Sequence, residues 1–302
     1  MKSGRGGGAV RGAPAQRPPQ KDRAPTSNGY WPRNARCAVC LTFDFDADSP
    51  FGDRPDTGLT VRSRGSYGAR VGVYRVLDLL HRYDLPATFF VPGYTAETYR
   101  DATEAIVRSG HELANHGYFH ERPTDFKGNP EAELDILHRG SDALAAFSGS
   151  RPLGYRSPAW DLNPGTPRLL SRAGFVYDSS LMDDERPYLI DAGGSTPLVE
   201  LPIDWVLDDF THFQFSPPAV QGLSAPSKVL EIWLDEFDGY YETGGCFILT
   251  MHPQVIGRHH RLKVLERLIQ YMMRRRRRLF ISNCLEVARH ALNHTPSAKA
   301  SA

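Results

Sequence analysis

Short apolar runs that stop abruptly at ionisable residues constrain this chain more than any other feature. Residues 38–43 (AVCLTF) run straight into Asp44-Phe45-Asp46. The run 112–115 meets His116, and 154–156 ends on Arg156-Ser157-Pro158. Further runs at 175–177, 198–203 and 246–251 reach Asp178-Ser179-Ser180, Asp204 and His252. Strands are also expected at 87–91 and 279–281. Between the runs lie stretches with apolar residues three and four apart, such as Val73, Val76, Leu77 and Leu80. That spacing predicts helices over 71–83, 98–109, 129–147, 166–173 and 261–276. Strands alternating with helices imply βαβ units and a mainly parallel sheet. Parallel α/β folds assemble their sites at the carboxyl ends of the strands, where these ionisable residues fall.

The 302 residues allow one large barrel-type domain. Lysine plus arginine is 36 and aspartate plus glutamate is 35, leaving a net charge of +1. A chain this close to neutral lacks the basic surface expected for nucleic-acid binding, so no nucleic-acid partner is expected. The run Arg274–Arg278 reads as a solvated helix end that complements the helix dipole. No apolar stretch is long enough for a membrane helix, and the N-terminus lacks the apolar core of a secretory signal. A cytoplasmic protein without a membrane partner is therefore expected. Residues 1–29, rich in Gly, Pro and Arg, and residues 293–302 read as disordered tails. The catalytic domain is expected over 30–292. The four cysteines are too few for a disulfide scaffold; Cys37 and Cys40 have metal-pair spacing, but no second pair follows.

Two clusters carry the chemistry. His116-Gly117-Tyr118-Phe119-His120 can direct both imidazoles at one metal if the segment is helical. In extended Asp44-Phe45-Asp46-Ala47-Asp48, the three carboxylates would share one face. Crowded carboxylates call for a cation or a proton. A carboxylate with two histidines is the donor set of a catalytic zinc or related divalent site. His111-Glu112-Leu113-Ala114-Asn115-His116 only imitates a metalloprotease helix, because its second histidine stands one place late.

These motifs resemble the polysaccharide deacetylase family, carbohydrate esterase family 4, with its NodB-homology domain. Thr42-Phe43-Asp44-Phe45-Asp46 is similar to the family's first motif, and His116–His120 to its second. Arg156-Ser157-Pro158 and Thr250-Met251-His252-Pro253 are similar to its later ones. The resemblance covers most of residues 37–285 and implies a distorted (β/α)7 barrel. Phe45 splits the usual paired aspartates, and Gly117 replaces a Ser or Thr. Both departures resemble an intracellular branch with peptidoglycan-deacetylase-like, cyclic imidase and allantoinase-like members.

The resemblance implies hydrolysis of a non-peptide C–N bond at one divalent metal ion, with zinc expected. Asp46, His116 and His120 would hold the ion, and Asp44 would act as general base, paired with Arg156. His252 would be the general acid, with Asp204 or Glu200 orienting it. Trp160 and Tyr155 would bind substrate, and a backbone N–H near them would meet the oxyanion. The expected substrate is an N-acetylated amino sugar, with a small cyclic amide or imide as the alternative. A catalytically inactive carbohydrate-binding relative is a third reading. A homo-oligomer is compatible with all three.

Overall fold

In the computed structural model the described residues are 29–54, 56–214 and 223–295. Nine strands form one sheet: β1 (Cys37–Asp44), β2 (Thr88–Val91), β3 (Glu112–Asn115), β4 (Gly154–Tyr155), β5 (Tyr177–Asp178), β6 (Tyr188–Ile190), β7 (Leu198–Glu200), β8 (Cys246–Met251) and β9 (Leu279–Ile281). Their order is β6-β7-β5-β4-β3-β2-β1-β8. β1 pairs with β2 near its end and with β9 near its start. Every pairing is parallel except β6 against β7. An isolated parallel bridge from Asp208 to Thr250 draws the chain after β7 towards β8. The sheet is a curled, incompletely closed barrel, as the resemblance implied.

β1 is buried along its whole length because it lies between neighbours in a parallel sheet covered by helices. Phe43 stacks on Phe89 of β2 with ring centroids 4.9 Å apart, on the helix-covered face. The long helices Val73–Tyr83, Pro130–Ser148, Pro226–Thr243 and His259–Met273 surround the sheet. Most follow strands, so the loops at the strands' carboxyl ends converge at one mouth.

The predicted helix at 71–83 is the end of a longer helical run. It starts at Leu59–Tyr67 and continues through a π-helical turn, Gly68–Gly72, into Val73–Tyr83. At Gly72 a Cβ would stand 2.0 Å from the carbonyl oxygen of Pro253. Only glycine permits that approach, which seats the turn after β8 against this helix. No helix is expected over Pro226–Thr243, yet Val229, Leu230, Trp233 and Phe237 have helical spacing and are buried there. The last helix, Cys284–His294, runs past the expected boundary at 292. Residues 1–28 and 296–302, most of the two expected tails, lie outside the described residues. Near the expected start of the domain, Trp31 is buried and its indole donates to the Gly244 carbonyl at 3.0 Å.

All four cysteines are free and buried. Arg275 and Arg276 pair with Asp238 and Asp84 at the end of their helix. Among the described residues no helix is long and apolar enough to cross a membrane.

Candidate active site

β1 delivers Asp44 to the barrel mouth, and the chain turns at Ala47, whose φ is 51°. The turn separates the three acids. Asp44 and Asp46 face the mouth, whereas Asp48 turns away and accepts from the Tyr99 hydroxyl at 2.8 Å. The expectation that all three carboxylates cluster is therefore corrected to two.

His116 and His120 follow β3 in a loop, not a helix. Gly117 and His120 are left-handed, at φ 76° and 66°. The Asn115 side chain accepts from the Gly117 amide, and Glu121 Oε2 accepts from the amides of Tyr118 and Phe119. This tight loop brings the two rings to a centroid distance of 5.0 Å. Convergence comes from loop hydrogen bonds where the spacing suggested helical geometry, and the left-handed backbone explains why glycine stands at 117.

The donor set fits a metal ion. His116 Nε2 lies 3.5 Å and His120 Nε2 3.8 Å from Asp46 Oδ1. Tetrahedral zinc with ligands at about 2.0–2.1 Å spaces its donor atoms by roughly 3.3 Å. Asp46 Oδ1 is buried and without a hydrogen-bond partner among the described residues, a costly condition that a cation would relieve. His116 Nδ1 sits 2.7 Å from the Arg156 carbonyl. Donation there leaves the Nε2 lone pair facing Asp46. Burial lowers the pKa of His116 to about 4 and of His120 to about 3, so both imidazoles are neutral, as ligation requires. Burial, reinforced by neighbouring Asp44 and Asp208, pushes Asp46 up to about 7 in the absence of a cation.

Asp44 has a different environment. Arg156, at the end of β4, is fully buried and donates from Nη1 to Asp44 Oδ1 at 2.8 Å. The guanidinium also donates to Thr42, to the Ser179 carbonyl and to the Ser179 hydroxyl, and it covers the Phe90 ring at 4.0 Å. Burial alone would raise the Asp44 pKa, but Arg156, His116 and His252 outweigh it and hold the carboxyl below its usual range. The expected Asp44–Arg156 pair is present.

His252 leaves the end of β8 on the far side of Asp46, with Nε2 3.8 Å from Asp46 Oδ2. Its orienting acids are Asp209 and Asp208, not Asp204 or Glu200. His252 Nδ1 lies 2.7 Å from Asp209 Oδ1, and the His252 amide also donates to Asp209. Asp208 Oδ1 is 3.5 Å from the same Nδ1. Burial would lower the His252 pKa, but Asp208, Asp209 and Asp46 outweigh it and raise it well above the ordinary value. Asp208, Asp209 and His252 form an ion-pair cluster, and their ligand atoms also lie close enough together to hold a cation.

Three expected contributors lie elsewhere. Glu200 ends β7 and accepts from the Ser180 and Leu181 amides, facing Asp178 across the sheet. Asp204 is exposed and caps the turn Trp205–Leu207. Tyr155 precedes Arg156 on an extended segment, so its side chain takes the opposite face and packs with Leu137 and Phe175. The Trp160 amide is committed to the Ser157 carbonyl and offers no oxyanion donor. The Trp160 side chain does line the pocket, stacked on Trp205 at 4.2 Å.

Asp208, Asp209 and Gln254 are site residues the sequence reading did not select. Their signal was present: two adjacent acids in an apolar stretch, WVLDDF, and a polar residue two places after His252. Gln254 donates to Asp46 Oδ2 at 3.2 Å. The pocket encloses about 430 Å³. Phe51, Val61, Trp160, Trp205 and Phe210 give it apolar walls around the polar cluster.

Comparisons with known proteins agree with this geometry. The polysaccharide deacetylase family model matches residues 36–177. A peptidoglycan deacetylase of Helicobacter pylori is 34% identical over 237 residues, spanning 70% of this chain and 80% of that protein. The crystal structure of a proposed polysaccharide deacetylase from Mycobacterium smegmatis superposes with a TM-score of 0.83 at 38% identity, covering 90% of this chain and 96% of that one. The allantoinase Puue superposes with a TM-score of 0.78 at 25% identity, covering 94% of this chain and all of that one (100%). This chain belongs to the polysaccharide deacetylase family.

Proposed function

We propose that this chain is a metal-dependent hydrolase of a non-peptide carbon–nitrogen bond, with its catalytic unit over about residues 30–292. Asp46, His116 and His120 are the ligands, Asp44 the general base, Arg156 its anchor and His252 the general acid. The observation that carries this reading is the unsatisfied Asp46 oxygen between two neutral imidazoles, with a protonated histidine opposite.

Asp46, His116 and His120 would hold a divalent ion, with zinc expected, which would supply Lewis acidity to the amide carbonyl and lower the pKa of water towards about 7. Asp44, kept ionised by Arg156, takes the proton of the attacking water. His252, held protonated by Asp208 and Asp209, gives a proton to the departing nitrogen. Water is consumed, the C–N bond breaks, and an acid and an amine leave.

The favoured substrate is an N-acetylated amino sugar, supported by the similarity to the Helicobacter pylori peptidoglycan deacetylase. A second reading is ring opening of a small cyclic amide or imide. The modest pocket volume and the full-length likeness to an allantoinase favour it. The deciding experiment assays zinc-loaded protein on acetylated chito-oligosaccharides, peptidoglycan fragments, cyclic imides and allantoin. Acetate release selects the first reading and ring opening the second. Glycan binding without turnover would indicate an inactive carbohydrate-binding relative.

A further inference from the structure

A second cavity, of about 530 Å³, adjoins the catalytic pocket. Arg64, Gln214 and Gln254 line both. Gln254 is also the residue that hydrogen-bonds Asp46, so one side chain borders both spaces and reaches the ligand cluster. Its Oε1 is buried without a partner among the described residues.

The second cavity is lined by Arg64, Arg75, Arg258 and Arg261, and by no acidic residue among the described ones. Neutral groups hold the guanidinium groups in place. Arg75 donates to the Tyr67 hydroxyl and the Gly257 carbonyl. Arg258 lies 3.5 Å over the Tyr67 ring. Arg261 donates to the Val255 carbonyl, covers Phe213 and lies within electrostatic reach of Asp209, while its Nε is buried with no partner among the described residues. Elsewhere arginines meet carboxylates: Arg82 with Glu266, Arg275 with Asp238, Arg156 with Asp44. Ordered guanidinium groups held by neutral contacts, as those of Arg75 and Arg258 are, are suited to bidentate recognition of an oxyanion.

We infer that this basic cavity is an oxyanion subsite, which receives a carboxylate or phosphate carried by the same molecule whose amide the metal site cleaves. The inference rests on the hydrolase reading for its meaning in substrate choice, but anion binding itself does not. It makes the substrate an anionic amide with its charge placed beyond Gln254. Neutral acetylated sugars would leave the cavity unused.

The test is calorimetric titration of the full chain with two probes, inorganic phosphate and succinate. Wild type and His116→Ala should each bind a probe saturably, near one equivalent. Arg258→Gln/Arg261→Gln should weaken that binding about tenfold or more, and Arg258→Lys/Arg261→Lys should recover part of it. Arg75→Gln provides an independent second loss. Preference for phosphate over succinate, or the reverse, identifies the oxyanion. Absence of saturable binding in wild type would overturn the subsite. So would binding unchanged in the Gln variants, or binding lost in His116→Ala, which would place the anion on the metal. In turnover, anionic amides should show a raised KM and an unchanged kcat in the Gln pair. Anion binding without turnover on any amide sustains the subsite and defeats the hydrolase reading; turnover without anion binding does the reverse.

Discussion

Asp44 and Asp46 stand two positions apart and have opposite proton affinities, because Arg156 touches one and not the other. This difference assigns their proposed roles. His116→Ala should abolish zinc content and turnover together. Asp44→Asn should keep zinc and lose turnover by about 10²–10⁴-fold, the usual worth of a general base. Metal analysis beside kinetics checks both, and zinc loss in Asp44→Asn would mean that the two acids have exchanged roles. His111 gives a separate pH prediction. Burial lowers its pKa to about 4, below the ordinary 6.5, and its Nδ1 has no partner. The unfolded chain therefore binds the extra proton first, so this histidine costs stability as pH falls from 6.5 towards 4. His111→Gln should narrow its urea-midpoint deficit, or gain on wild type, between pH 7 and pH 5. An unchanged difference would remove His111 from the acid response.

The loop 116–120 shows how an element can make a site that its sequence period does not. Histidines four apart suggested a helix, yet the ligands converge through left-handed backbone at Gly117 and His120. Gly117→Ala forces a Cβ into that conformation, 3.2 Å from Glu121 Oε2. The expected result is a loss of about 1 kcal/mol of stability and weaker zinc binding, with the same fold by circular dichroism. Retained zinc affinity would show that the loop tolerates a different path. The parallel strands were legible from their apolar runs, and β3, β8 and β9 match their expected limits, whereas the short antiparallel β6 was not expected. The helix Leu59–Tyr67 was not, since Leu59 is exposed and Gly65 is its only buried residue. It forms part of the pocket wall without an apolar stripe to announce it.

At the scale of the whole molecule, the curled sheet brings β1, β3, β4 and β8 to one mouth, and a cation there would tie the end of β1 to the loop after β3, ligands as far apart in sequence as Asp46 and His120. An ion that binds the folded chain and not the unfolded one stabilises it by mass action, roughly 4 kcal/mol at a thousand times its Kd. Exhaustive chelation should therefore lower the melting temperature and remove activity, and zinc should restore both. A melting temperature unmoved by chelation would argue against a buried ion at Asp46. The sequence by itself determined the α/β class, the family and the residue types of the ligand cluster, because these depend on local period and short motifs. It also placed Arg156 with Asp44, since a motif arginine and a motif aspartate have complementary charge. Only the tertiary structure decided that Asp208 and Asp209 orient His252 in place of Asp204 and Glu200. Strand register and the bridge from Asp208 to Thr250 set which acid reaches the imidazole, and no local pattern encodes that. Side-chain alternation likewise turned Tyr155 inward. The basic cavity gathers arginines from two distant stretches of chain, and only packing makes them neighbours.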